Sequence, residues 1–154
     1  MKHRHRSPQG EIPTMAKYDD NNIFAKILRG ELPCEKLYED AHTFAFMDIM
    51  PRGTGHCLVI PKEPARNILD VSVESLAAVM ASVKKLSRAT MKAFSADGVT
   101  IQQFNESAGG QVVFHLHFHI IPRFDGVKLG PPASTMEDGK VLADNAARIR
   151  AALA

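Results

Sequence analysis

The sequence predicts an antiparallel α+β domain, on three observations. Residues 36–48 read as two strands around a tight turn, residues 72–93 repeat apolar side chains with helical period, and two more strand-like runs, 98–104 and 112–121, follow. Strands joined by hairpins and backed by one long helix make an α+β fold, not the strand–helix alternation of a parallel sheet.

Each element has its own signal. Residues 1–22 lack hydrophobic periodicity and carry Pro8, Gly10, Pro13 and the run Asp19-Asp20-Asn21-Asn22, so residues 1–21 are expected to form a disordered extension ahead of a domain spanning 22–154. Met15-Ala16-Lys17 resembles an ordinary protein start, so residues 1–14 are expected to be an upstream extension or a non-native remnant. The Lys2-to-Arg6 cluster reads as a solvated tail, with an acidic partner or a metal as the alternative. Residues 23–29 have helical spacing and Gly30 supplies a stop. Residues 36–40 and 43–48 form the hairpin, with Phe44 and Phe46 on one face, and the turn at 51–55 leads to a strand at 56–60 closed by Pro61. Ser72 is a plausible N-cap of the long helix. Leu76, Val79, Met80, Val83, Leu86, Thr90 and Met91 mark its buried face. The fifth strand, 112–121, ends at Pro122. After the Pro131-Pro132 break, Val141, Leu142, Ala146, Ile149 and Leu153 place a terminal helix at about 137–153.

Composition excludes several classes. The chain has 154 residues, 45% hydrophobic and 23% charged, enough for a core that needs no disulfide or structural metal. With 19 Lys and Arg against 17 Asp and Glu, the net charge of +2 gives no broad basic field, so nucleic acid is not an expected partner. No apolar run approaches the roughly 20 residues of a membrane span, and the basic start precedes no apolar signal core. Cys34 and Cys57 form no CxxC pair. Both fit a reducing compartment, and the expected location is cytoplasmic.

The informative segment is Phe114-His115-Leu116-His117-Phe118-His119-Ile120. In a strand the three histidines would share one face, with neighbouring Cα atoms ~6.6 Å apart, close enough to surround one small charged group. Three readings compete: a strand whose polar face happens to carry histidines, a metal site, and phosphoryl or nucleotidyl transfer in which a neutral imidazole attacks phosphorus. The preceding Ser107-Ala108-Gly109-Gly110 favours the last, because glycine lets backbone N–H groups approach an anion.

These residues resemble the histidine triad (HIT) motif, His-x-His-x-His followed by apolar residues. Other segments match that family in register over about residues 22–124. They include Phe24-Ala25-Lys26-Ile27, Gly30-Glu31-Leu32-Pro33, Ala45 through Pro51, Gly55 through Lys62, Asn105-Glu106 and Gly109-Gly110-Gln111. The nearest branch resembles the nucleotide-binding, phosphoramidase-like HIT proteins. The resemblance implies a five-stranded antiparallel sheet with one long helix, to which the residue pattern adds a short N-terminal helix and a C-terminal helix. It further implies a homodimer that hydrolyses nucleoside phosphoramidates or dinucleoside polyphosphates, with a purine nucleotide or its conjugate as ligand.

Carried over by position, His117 matches the nucleophile, His119 a phosphate contact, and His115 the residue that orients the nucleophile, often through its backbone carbonyl. His56 matches a fourth, supporting histidine and Asp48 the carboxylate that accepts from the ribose hydroxyls. Phe24, Ile27, Leu32, Phe46 and Ile49 resemble the apolar slot for the base, although each could equally be ordinary core. Asn105, Gly110 and Gln111 correspond to residues beside the phosphate and leaving group.

The departures matter too. Asn22 and Ala25 occupy the positions of a Cys-x-x-Cys zinc pair found in some bacterial relatives, and Pro64 replaces a further histidine, so no zinc and no cofactor are expected. Val112 stands where many relatives have Ser or Thr, which puts leaving-group assistance in question. A cationic cluster of imidazoles is expected to do the work of a divalent ion on the phosphoryl oxygens. The rival classes are a dimeric nucleotide-binding adaptor with vestigial catalysis and a metalloenzyme that EDTA would silence.

Overall fold

A computed structural model describes residues 10, 12–132 and 135–154. The Lys2-to-Arg6 cluster lies outside the described residues. The elements are α1 (Ile23–Leu28), β1 (Lys36–Glu39), β2 (Thr43–Met47), β3 (Cys57–Pro61), α2 (Val73–Phe94), β4 (Gly98–Gln102), a 3-10 turn (Ser107–Gly109), β5 (Phe118–Arg123) and α3 (Gly139–Leu153). The five strands form one antiparallel sheet in the order β1-β2-β3-β5-β4.

The two-residue alternation of β2 and β3 divides their side chains between two cores. Ala45, Met47, Cys57 and Val59 face one cluster with Val79, Val83 and Leu86 of α2 and with Leu142, Ala146 and Ile149 of α3. Phe44, Phe46, Leu58 and Ile60 face the other with Phe24 of α1. Both strands are therefore buried on both faces, and the residues around their ends are held between rigid layers.

Local chemistry sets the helix ends. Asn22 caps α1, accepting from the Ala25 N–H at 2.9 Å, and Gly30 turns the chain away at φ +76. Ser72 caps α2, accepting from the Ser75 N–H at 3.1 Å, and Asp138 caps α3. Gly55, at φ +82, admits no side chain, because a Cβ there would meet the Phe94 ring at 2.5 Å.

Four expectations need correction. Met80 of α2 and Val141 of α3 lie on outer flanks and are exposed rather than buried. Pro122 does not end β5. It sits inside that strand, past Ile120, the last residue that β3 pairs, where it interrupts no β3 ladder bond. Residues 112–117 are irregular, not strand. The Pro61 carbonyl, which a longer ladder would have used, accepts from the His115 ring, and the Leu116 N–H goes to the Ala65 carbonyl instead. Finally, the described end of the extension expected to be disordered over residues 1–21 is docked at Tyr18, whose hydroxyl bonds His115, while residues 1–9 and 11 lie outside the described residues. Arg29 holds the Asp20 carbonyl at 2.8 Å beside it.

Candidate active site

The ends of β2, β3 and β5 meet beside the irregular segment. Asp48 follows β2, and its N–H donates to the carbonyl of His56, which precedes β3, at 3.1 Å. His119 lies on β5, paired with Leu58. His117 and His119 set their rings edge to face at 5.0 Å, and His56 packs against His119 at 5.1 Å. His115 goes elsewhere. Because it sits outside the pleat, its fully buried ring points to the Pro61 carbonyl and Tyr18, and only its backbone faces the other histidines. The three rings therefore do not line one face.

Main-chain groups fix the proton positions. A carbonyl can only accept and an amide N–H can only donate, so each ring bonded to one has a determined tautomer. His117 Nδ1 lies 2.7 Å from the His115 carbonyl and must carry hydrogen, which leaves Nε2 with the lone pair. His115 Nε2, 2.9 Å from the Pro61 carbonyl, carries hydrogen, so its Nδ1 accepts from the Tyr18 hydroxyl at 2.6 Å. His56 Nδ1 accepts from the Arg52 N–H at 3.0 Å. Its Nε2–H donates to His119 Nδ1 at 2.9 Å, and His119 is left with Nε2–H as a donor that has no partner among the described residues. One ring thus offers a lone pair and its neighbour a donor, with the ring centroids 5.0 Å apart.

Electrostatics follow from burial. Desolvation holds His56 and His115 down to about 4 and His119 to about 3, and it lowers His117 as well. Burial favours the uncharged form of all four imidazoles, which corrects the expected cationic cluster: a dry site does not hold His56, His117 and His119 positive with their rings packed together. Burial pushes the Asp48 carboxyl up to about 6, against the opposing effect of the Met50 N–H that it accepts. It is largely ionised at pH 7. Its Oδ2 lies 3.4 Å from His56 Nε2.

Asp48, His56 and His119 bring three potential metal-ligand atoms within 4.8 Å of one another. The proton pattern does not suit an ion there. To ligate through Nε2, His56 would have to carry its hydrogen on Nδ1, directly against the Arg52 N–H. The zinc pair positions, Asn22 and Ala25, hold a helix cap and a buried methyl group.

The apolar residues divide by exposure. Phe24 and Phe46 are buried, packed edge to face at 5.3 Å, and Phe24 also meets the His117 ring at 4.9 Å. Leu32 and Ile49 are exposed, and half-buried Ile27 packs against the Phe24–Phe46 cluster.

The glycine loop is self-contained. The N–H groups of Gly109, Gly110 and Gln111 all donate to carbonyls of Glu106 or Ser107, so none of the three is aimed at an anion. Gln111 uses its whole side chain internally. Its Oε1 accepts from the Glu106 N–H and Asn67, and its Nε2 donates to the carbonyls of Arg66 and Val113. Asn105 accepts from the Ile68 N–H and Gln103 and donates back to Gln103. Gly110 holds φ +96 against Phe104. Substrate contact by the Gln111 side chain would require one of these bonds to open. Val112 is 82% exposed, so it faces neither core nor sheet.

Four contributors lie outside the expected site residues: Arg66, Asn67, Tyr18 and the Arg52 N–H. Arg66 forms a two-pronged salt bridge to Glu106 at 2.8 and 3.0 Å and lies over the Phe114 ring, while fully buried Asn67 joins the same loop. A buried Asn beside a Gly-rich loop is a weak sequence signal. The Arg52 N–H and Tyr18 carry no sequence signal: one is main chain, and the other lies in a polar arm 97 residues from its partner.

Comparison with known proteins bears on this site. Residues 29–126 match the HIT domain model. An adenosine 5'-monophosphoramidase of Schizosaccharomyces pombe is 45% identical over 101 residues, covering 66% of this chain and 73% of that protein. A HIT-like protein of Bartonella henselae, described as involved in cell-cycle regulation, superposes with a TM-score of 0.83 at 51% identity, covering 88% of this chain and 99% of the other. A zinc-bound histidine triad family protein of Mycobacterium smegmatis gives 0.77 at 34% identity, covering 86% and 93%.

Proposed function

The chain belongs to the HIT domain family, and from that premise we propose that it hydrolyses nucleoside phosphoramidates or dinucleoside polyphosphates through a nucleotidyl-His117 intermediate. The observation that carries this reading is the 2.7 Å bond from His117 Nδ1–H to the His115 carbonyl, which leaves the Nε2 lone pair free beside the His119 Nε2–H donor. Nε2 attacks the α-phosphorus, and the bond to the bridging nitrogen or oxygen breaks. An amine departs with a proton drawn from solvent. Water then adds to phosphorus, the N–P bond breaks, and nucleoside monophosphate is released. Neutral imidazole suits the attacking role, and His119 stabilises the charge that gathers on a non-bridging oxygen.

Asp48 accepts from the ribose hydroxyls, and a purine lies against Ile27, Leu32 and Ile49 over the Phe24–Phe46 wall. Asn105, Gly110 and Gln111 shape the loop beside the phosphate. The active form in this reading is a homodimer. β4 is an edge strand, and Val99 and Ile101 on it are exposed, as is Met80 on the helix. Unpaired Cys34 and Cys57 suit a reducing, cytoplasmic setting, and among the described residues no helix is long and apolar enough to cross a membrane.

Rapid quenching with an adenosine aryl-amine phosphoramidate, followed by peptide mass mapping, should show one adenylyl group on His117. Turnover with no adduct, or an adduct elsewhere, would sink the reading. Light scattering should give a dimer at micromolar concentration, and a monomeric mass would remove the assembly claim.

A further inference from the structure

The carbonyl that orients His117 belongs to a segment without a sheet ladder. Residues 112–117 precede β5, and three bonds hold the stretch around His115: the Leu116 N–H to the Ala65 carbonyl at 2.9 Å, the His115 Nε2–H to the Pro61 carbonyl at 2.9 Å, and the Tyr18 hydroxyl to His115 Nδ1 at 2.6 Å. The third comes from outside residues 29–126, the part that matches the family model.

The direction of that bond is determined. The other tautomer of His115 would set the Nε2 lone pair against the oxygen lone pairs of Pro61, so Nδ1 accepts and the hydroxyl donates. The His115 ring is fully buried, and Tyr18 meets it edge to face at 5.6 Å. Without the hydroxyl, a buried acceptor stands unpaired. The ring then admits water or turns, and either change moves the backbone on which His117 depends. The arm is itself tied down, with Arg29 on the Asp20 carbonyl and Asn22 on the Asp19 carbonyl.

We propose that Tyr18 is a positioning residue of the active site: its hydroxyl, donated to His115 Nδ1, fixes the segment whose carbonyl orients His117. The N-terminal arm thereby completes a site that the matched domain alone leaves one bond short. This inference rests on His117 being the nucleophile.

The test compares full-length wild type with Tyr18→Phe, which keeps the ring contact and removes only the donor. Nitrogen-15 NMR of the imidazoles should show His115 Nδ1 as an unprotonated, hydrogen-bonded nitrogen in wild type. In Tyr18→Phe it should move toward the unbonded position, and the two His117 nitrogens should shift toward a tautomer average. The single-turnover rate of His117 adenylylation with the aryl-amine phosphoramidate should fall roughly tenfold, while the half-saturating concentration changes less than twofold. Unchanged His117 signals and an unchanged rate would overturn the inference, as would a loss confined to half-saturation. If Tyr18→Phe does not fold, the wild-type spectrum decides: an unbonded His115 Nδ1 rejects the proposal and a bonded one supports it. A His117→Ala control separates the two claims, since an active control would defeat the nucleophile reading itself.

Discussion

The Nδ1 of His117 lies 2.7 Å from the carbonyl oxygen of His115, so the chain that presents the imidazole also sets its tautomer two residues upstream. A side chain at 117 without a ring nitrogen in the Nε2 position loses the lone pair. His117→Ala should lower turnover at least about a thousandfold and leave nucleoside monophosphate affinity within a fewfold of wild type. Steady-state kinetics and calorimetric titration check both halves. Activity above about a tenth of wild type would contradict a covalent mechanism.

Acid should loosen the fold through the same rings. His56, His115 and His119 have folded values depressed from 6.5 to between about 3 and 4, so their contribution is fully present above pH 6.5 and is lost as pH falls toward those values. Asp48, raised from 3.8 to about 6, works the other way: it favours the folded state below pH 4 and loses that contribution as pH rises through about 6. Three imidazoles outweigh one carboxyl. The Tm should drop by about 5 °C or more between pH 7 and pH 5 in scanning calorimetry. An equal or higher Tm at pH 5 would refute this balance.

Asp48 holds the Met50 N–H with Oδ1 and leaves Oδ2 facing His56. Asp48→Asn can keep the first contact and loses a charged acceptor for the ribose hydroxyls. The value of kcat/KM on a ribonucleoside phosphoramidate should fall roughly tenfold to a hundredfold, and the 2',3'-dideoxy analogue should show much less change. Equal losses on both sugars would mean that Asp48 acts on something other than ribose.

Gly55→Ala tests the packing behind the site. Its φ of +82 and the 2.5 Å approach of a new Cβ to Phe94 should together destabilise the protein by roughly 2 to 4 kcal/mol, read from urea denaturation. A change under 0.5 kcal/mol, within the scatter of surface substitutions, would show that Phe94 moves aside freely.

Val112→Ser should leave stability unchanged, because the side chain is already in solvent. If a hydroxyl there reaches the leaving group, the rate on an alkyl-amine phosphoramidate should rise roughly tenfold relative to an aryl-amine one. Identical ratios for the two proteins would remove position 112 from the reaction.

Much of the scaffold was legible because burial writes itself as periodicity. Phe44 and Phe46 alternate with Ala45 and Met47, and the two pairs enter different cores. Ser72 declared the start of α2. The same rule misjudged residues 112–117: alternation assumes a pleat, and the bonds of His115 to Pro61 and of Leu116 to Ala65 take the place of a ladder there. The expected phosphate cradle failed for a related reason, since glycines allow an N–H to face outward but do not require it. Tyr18 was illegible because its partner is 97 residues away and nothing local demands a tyrosine.

Three main-chain groups, the Arg52 N–H and the carbonyls of Pro61 and His115, decide where the hydrogens sit on four imidazoles. The polarity of the site is thus an attribute of its backbone trace. Most substitutions at position 52 or 61 would change a side chain and preserve the instruction, whereas Arg52→Pro, which deletes the amide hydrogen, would free His56 to flip and hand His119 a proton on the wrong nitrogen. Chemistry that looks like the property of a histidine cluster is inherited from peptide bonds on either side of it.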